Sequence, residues 1–112
     1  MKIQAKKEGG VTVVAIEGDL DHFGTNELDS FLRKQEDLGV HIIFVMSTVK
    51  YLSSSALRVI FELWRRKAEE KGSISLVGLQ EYCKAILKNT GFDEIFALYD
   101  SLDEALEHHK KD

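Results

Sequence analysis

Ile42-Ile43-Phe44-Val45-Met46 is an unbroken apolar run, and it restricts the fold more than any other stretch of the chain. A strand with one face in water alternates apolar and polar residues. A continuous run fits a strand covered on both faces, in a sheet that carries crossover helices. The neighbouring sequence supplies such helices. Thr25 is suited to cap a helix running to about Leu38, with Leu28, Phe31, Leu32 and Leu38 on its apolar face and Gly39 as a left-handed stop. A second helix begins near Ser54 and ends before Gly72, with Leu57, Ile60, Phe61, Leu63, Trp64 and Ala68 forming a broad stripe. On its other side, Arg58-Glu62-Arg66-Glu70 and Arg65-Glu69 predict i,i+4 ion pairs.

The remaining segments extend this alternation. Lys2 to Lys7 reads as a short strand, Gly9-Gly10 as a hairpin turn, and Val11 to Glu17 as a returning strand rich in β-branched residues. Ser73 to Val77 is a further strand, followed by a helix over Gln80 to Thr90 with Leu79, Cys83, Ile86 and Leu87 directed inward and Gly91 as its stop. Phe92 to Leu98 contains one more short strand. Ser101-Leu102-Asp103-Glu104 has the form of a capping box, and the helix it opens carries Leu102, Ala105 and Leu106 before fraying into His108 to Asp112. The order is a hairpin, an optional extra strand, then repeated helix–strand units. It predicts an α/β fold: a mixed β-sheet with an opening antiparallel hairpin and about four helices packed mainly on one side.

Composition narrows the class. At 112 residues the chain is long enough for one core without staples, and it reads as a single domain over 1–112 with its core at about 2–107. Its 15 Lys and Arg against 19 Asp and Glu give a formal charge of −4, so it lacks the concentrated positive footprint of a nucleic-acid binder. A single cysteine, Cys83, cannot close an intramolecular disulfide or a Cys-rich zinc site. The apolar runs are too short to span a bilayer, and the N-terminus lacks a signal-peptide pattern. These features predict a cytoplasmic protein with no direct membrane insertion and no nucleic-acid partner.

Patterns that carry catalysis are missing. There is no Gly-rich phosphate loop, no H-E-x-x-H and no G-x-S-x-G. Asp19-Leu20-Asp21-His22-Phe23-Gly24 has the opening spacing of a calcium loop, but Phe23 occupies a position that needs an oxygen ligand and Ser30 stands where the bidentate glutamate belongs. The aspartates read instead as bonding the backbone of their own loop. Ser47-Thr48-Val49-Lys50 fits S-x-x-K by spacing alone, without the motifs that accompany it in acyl enzymes. His22, His41, His108 and His109 form no metal set with cysteine or carboxylate, and the tail pair suits a helix C-terminus. Cys83 reads as a small core residue; Trp64 and Tyr82 could contribute to interfaces, but packing accounts for both. No cofactor, metal or enzymatic activity is expected. A small serine hydrolase using Ser54 or Ser47 ranks far behind, since neither serine has a base placed for it.

Ser53-Ser54-Ser55 is different. It lies where a buried strand and a short connection give way to a strong amphipathic helix. A serine there serves as an N-cap. The same position also suits a phosphate, because free backbone N–H groups and the helix dipole converge on it. Phosphorylation would add about −1.5 to −2 charges at one surface spot, enough to release a partner without refolding the domain.

From Val11 to about Leu106 the chain resembles the STAS domain family of bacterial anti-sigma factor antagonists. The resemblance rests on Glu17-Gly18-Asp19-Leu20-Asp21, on Ile42 to Val49 leading into Tyr51-Leu52-Ser53-Ser54-Ser55-Ala56-Leu57, and on Gly72, Leu76-Val77-Gly78-Leu79, Leu87, Thr90-Gly91-Phe92, Ile95-Phe96 and Asp100 to Leu106. It implies a partner-switching cycle in which the unmodified domain binds an anti-sigma factor that is often a serine kinase with an ATPase-type fold. Phosphorylation ends the binding and a phosphatase restores it. The family motif reads roughly Asp-Ser-Ser-Gly-Leu, which makes Ser54 the phosphoacceptor here and draws Asp19, Asp21, Ser53, Ser55, Ala56 and Arg58 into the partner-binding surface. Three positions depart from that pattern: Ser53 stands for the motif aspartate, Ala56 for the glycine, and Val45 for a second aspartate common at the end of the preceding strand. The departures keep two readings open, a phosphorylated switch at Ser54 and an unmodified docking surface. A protein-interaction subunit of a stress-signalling or membrane-transport complex is the alternative role, and a monomer or weak dimer is expected.

Overall fold

Gly9 and Gly10, at φ +57° and +84°, turn the chain back on itself. Positive φ at both central residues gives the turn whose twist matches two antiparallel strands. Strand β1 (Lys2–Glu8) accordingly pairs with β2 (Val11–Glu17) from Lys2 opposite Glu17 to Glu8 opposite Val11. The computed structural model describes residues 1–110, and Lys111 and Asp112 lie outside the described residues. After the hairpin come α1 (His22–Lys34), β3 (His41–Val45), α2 (Ser54–Glu69), β4 (Ser73–Val77), α3 (Glu81–Thr90), a 3-10 turn (Phe92–Glu94), β5 (Ala97–Tyr99) and α4 (Leu102–Lys110). The sheet order is β1-β2-β3-β4-β5, parallel from β2 onward.

The apolar run is buried as its composition requires. Ile42 and Phe44 face one side with Val14, Ile16, Ile74 and Leu76, under Leu28 and Leu32 of α1, Leu57, Ile60 and Leu63 of α2, and Cys83 and Leu87 of α3. Ile43 faces the other side with Val11 and Val77, where α4 lays down Ala105 with Leu102 and Leu106. Three helices therefore cover one face and one covers the other.

Several local expectations are corrected. Helix α1 starts at His22 because Asp21, not Thr25, is its cap: Asp21 Oδ1 accepts from Gly24 N at 2.9 Å. It ends at Lys34, short of Leu38, because Asp37 Oδ1 accepts from Gly39 N at 3.0 Å and offers the backbone a turn instead of a further helical bond. Leu38 is still buried, its carbonyl accepting from the Thr12 hydroxyl at 2.5 Å. The optional extra strand shrinks to a single bridge between Leu20 and Leu52. On α2 the ion pairs are Arg65–Glu62 at 2.6 Å and Lys67–Glu70 at 3.4 Å, both i,i+3 rather than the expected i,i+4. Helix α4 does not fray at His108: it runs on to Lys110, and the His109 ring packs edge-on against His41, with centroids 4.5 Å apart. The last strand extends one residue past Leu98, to Tyr99.

Candidate functional site

Because β2, β3 and β4 are parallel, the connections that follow them emerge at the same edge of the sheet. Ligand and partner sites in such sheets gather at this end. The β2–α1 connection is tied to the β3–α2 connection by a short ladder. Asp19 Oδ1 accepts from Lys50 N at 3.0 Å and Tyr51 N at 3.2 Å, Leu20 N donates to Tyr51 O at 2.9 Å, and Ser53 N donates to Leu20 O at 2.9 Å. Gln80, at the start of α3, joins from the third connection, its Nε2 donating to Ser47 O at 2.8 Å.

This ladder fixes the start of α2. Ser53 is the N-cap, its Oγ accepting from Ala56 N at 3.1 Å. The same oxygen lies 3.1 Å from Thr25 Oγ1, a buried hydroxyl of α1, so the cap is locked to the neighbouring helix. Ser54 and Ser55 follow as the first two helical residues and both are exposed. Their N–H groups precede the first intrahelical bonds and point out of the helix end. No acidic residue occupies the first turn.

The structure sorts the expected site residues by role. Asp19 and Asp21 are exposed but engaged, one holding the β3–α2 connection and the other capping α1. Ser53 is half-buried and structural in place. Ala56 is fully buried and takes part through its N–H, while its methyl joins the core. Arg58 is exposed one turn beyond Ser54. Val45 ends β3 beside Ala15 and Val77.

Residue-by-residue reading missed the aromatic part of this edge. Tyr82 is 54% exposed and stacks on Tyr51, itself 44% exposed, with ring centroids 6.2 Å apart; Phe23 stands 75% exposed at the start of α1. Packing does not account for Tyr82. The signal was available in the helical phase, since Tyr82 sits off the stripe formed by Leu79, Cys83, Ile86 and Leu87. An exposed aromatic pair beside a hydroxyl-rich helix start has the chemistry of a protein-binding patch rather than of a small-molecule site.

The remaining chemistry is sparse. Among the described residues no histidine hydrogen-bonds Ser47 or Ser54, and no group of three or more His, Cys, Asp or Glu side chains could hold a metal ion. Cys83 is buried, its thiol 3.5 Å from Val49 O, and burial pushes its pKa above the ordinary thiol value, with Asp19 adding to the shift. A groove of about 740 Å³ lies between α1 and α2 and does not include the serines. No helix of the described residues is long and apolar enough to cross a membrane.

Comparison with known proteins agrees with this geometry. The STAS domain profile matches residues 2–105. A putative anti-sigma factor antagonist of Thermotoga maritima is 32% identical over 84 residues, covering 74% of this chain and 71% of that one. The putative anti-sigma factor antagonist BtrV of Bordetella bronchiseptica is 24% identical over 106 residues, covering 94% and 91%. Among solved structures, the anti-sigma factor antagonist SpoIIAA in its unphosphorylated form superposes with a TM-score of 0.83 at 14% identity, covering 99% of this chain and 98% of that one; the Bacillus protein has also been solved phosphorylated. A hairpin-led mixed sheet, a serine-capped helix at the edge where the parallel strands end, and a profile match across nearly the whole length make this chain a member of the STAS domain family, with relatives named as anti-sigma factor antagonists.

Proposed function

We propose that the chain is an anti-sigma factor antagonist: a regulatory protein, not an enzyme, that binds an anti-sigma factor bearing an ATPase-type serine kinase and is released when Ser54 is phosphorylated. A phosphatase then resets it. The observation that carries the reading is the division of labour at the start of α2. Ser53 is consumed by capping, while the adjacent Ser54 is exposed and uncommitted in a first turn that carries no acid.

Phosphate on Ser54 would sit where the dipole and the free N–H groups favour an anion, so the domain keeps its fold. The change is felt by the partner. A docked surface that gains about −1.5 to −2 charges meets like-charge repulsion and a desolvation cost of several kcal/mol. Tyr51, in the connection that leads to Ser53, and Tyr82 stacked on it supply exposed apolar contact area. The T. maritima and Bordetella relatives named as putative antagonists match this chain over most of their length, and SpoIIAA is a neighbour of the same fold solved in both phosphorylation forms, which supports a phosphorylation switch on this fold.

The test is affinity capture from native cells with the chain as bait, followed by binding measurements with the captured protein. We expect an anti-sigma factor with an ATPase-type kinase domain, and at least about tenfold weaker binding for Ser54→Asp, a penalty of about 1.4 kcal/mol. Recovery of transporter subunits or stress-complex scaffolds, or unchanged affinity of Ser54→Asp, would overturn the reading.

A further inference from the structure

We infer that Arg58 is the internal partner of a phosphate on Ser54, clamping it from one helical turn away. The inference rests on the phosphorylation reading above and adds what the chain itself does with the phosphate. Residues 54, 58, 62 and 66 fall on one i,i+4 row of α2, so Ser54 and Arg58 are surface neighbours. Every Cα–Cβ bond of a helix tilts toward its N-terminus, and a long side chain covers the turn that precedes its own Cα. In the unmodified chain Arg58 lines the groove between α1 and α2, and its length and position let the guanidinium reach back to the turn that holds Ser54. An anion four residues before a cation is also the favourable order for such a pair.

The alternative partner for Arg58 is removed by the structure. The sequence pairs it with Glu62 at i+4, but Glu62 is bonded to Arg65 at 2.6 Å, a contact that raises the Arg65 pKa. Arg58 is exposed and makes no ion pair among the described residues, while Arg33, Lys67 and Lys84 are all engaged with carboxylates. Arg66, on the same row, lies three turns from Ser54 and serves as an internal control. A guanidinium matches phosphate oxygens through paired N–H donors, which lysine does with a single point charge. The clamp changes the surface twice at once: it adds phosphate charge and withdraws the cation that Arg58 presents in the unmodified form.

The test uses the full chain with phosphoserine incorporated at position 54, so it needs neither the kinase nor the binding partner. The second ionisation of the phosphate, about pH 6 for an unconstrained phosphoserine, is followed by phosphorus NMR titration. We expect Arg58→Gln to raise its midpoint by about half a pH unit relative to the unsubstituted phosphoprotein, Arg58→Lys to give an intermediate value, and Arg66→Gln to leave it unchanged. Equal midpoints with and without Arg58, or an equal response to Arg66→Gln, would overturn the clamp. Partner binding separates the two readings: a phosphate that weakens binding in both backgrounds but titrates identically leaves the switch standing and removes the clamp.

Discussion

Helices α2 and α4 both begin with a serine cap, and the two starts differ in burial and charge. At α4, Ser101 Oγ accepts from Glu104 N at 3.2 Å, in the open, and Asp103 and Glu104 already place negative charge in the first turn. At α2, Ser53 Oγ accepts from Ala56 N, is joined to buried Thr25, and is followed by two exposed serines with no acid in the turn. One helix start is electrostatically complete. The other has no acid in its first turn, where the dipole favours an anion, and this is the position the proposed phosphate would take.

The deeper setting of α2 gives the largest expected effect. Leu57→Ala, in the main core, should cost about 2–5 kcal/mol in urea unfolding, and Leu106→Ala, half-buried on the minor face, distinctly less. Equal losses would erase the contrast between the two faces. Next comes Gly24, in the first turn of α1. A Cβ there would run into the Asp19 carbonyl, so Gly24→Ala should destabilise by about 1–3 kcal/mol, where an open helical site would gain from alanine. The amide shifts of Lys50 and Tyr51 should move with it, because Asp19 holds both.

The caps themselves sharpen the comparison. Ser53→Ala should cost about 1–2 kcal/mol and Ser101→Ala about half as much, since only Ser53 is bound into a second helix. A reversed order would contradict the locked-cap account.

The smallest effect is at Cys83. Burial holds its thiol protonated above the ordinary range, so the unfolded chain loses that proton first as pH rises. Stability should therefore decline above about pH 8.5. That slope should be absent in Cys83→Ala, and alkylation of native Cys83 should be slow.

The sheet and helix order were legible because β-branched runs and apolar stripes report burial directly. Ile42 to Met46 announced a central strand, and Gly9-Gly10 announced the hairpin. What the sequence concealed were choices among equivalent local partners. Asp21 and Thr25 are both competent caps, but the Thr25 hydroxyl is buried between Leu20 O and Ser53 Oγ, contacts that no local pattern announces. Glu62 has an arginine available at both i−4 and i+3, and the shorter reach to Arg65 prevails. The serine cluster could be found from its place at a helix start. Its division into a locked Ser53 and an available Ser54 could not, because the lock comes from a residue 28 positions away.

The central claim is that charge added at Ser54 controls partner binding while the fold stays intact. Calorimetric titration of the anti-sigma factor partner into the unmodified chain and into the Ser54-phosphorylated chain, with far-ultraviolet circular dichroism of both, tests it directly. The account predicts identical spectra and at least about tenfold weaker binding for the phosphorylated form. Equal affinity, or weaker binding accompanied by lost helix signal, would contradict it.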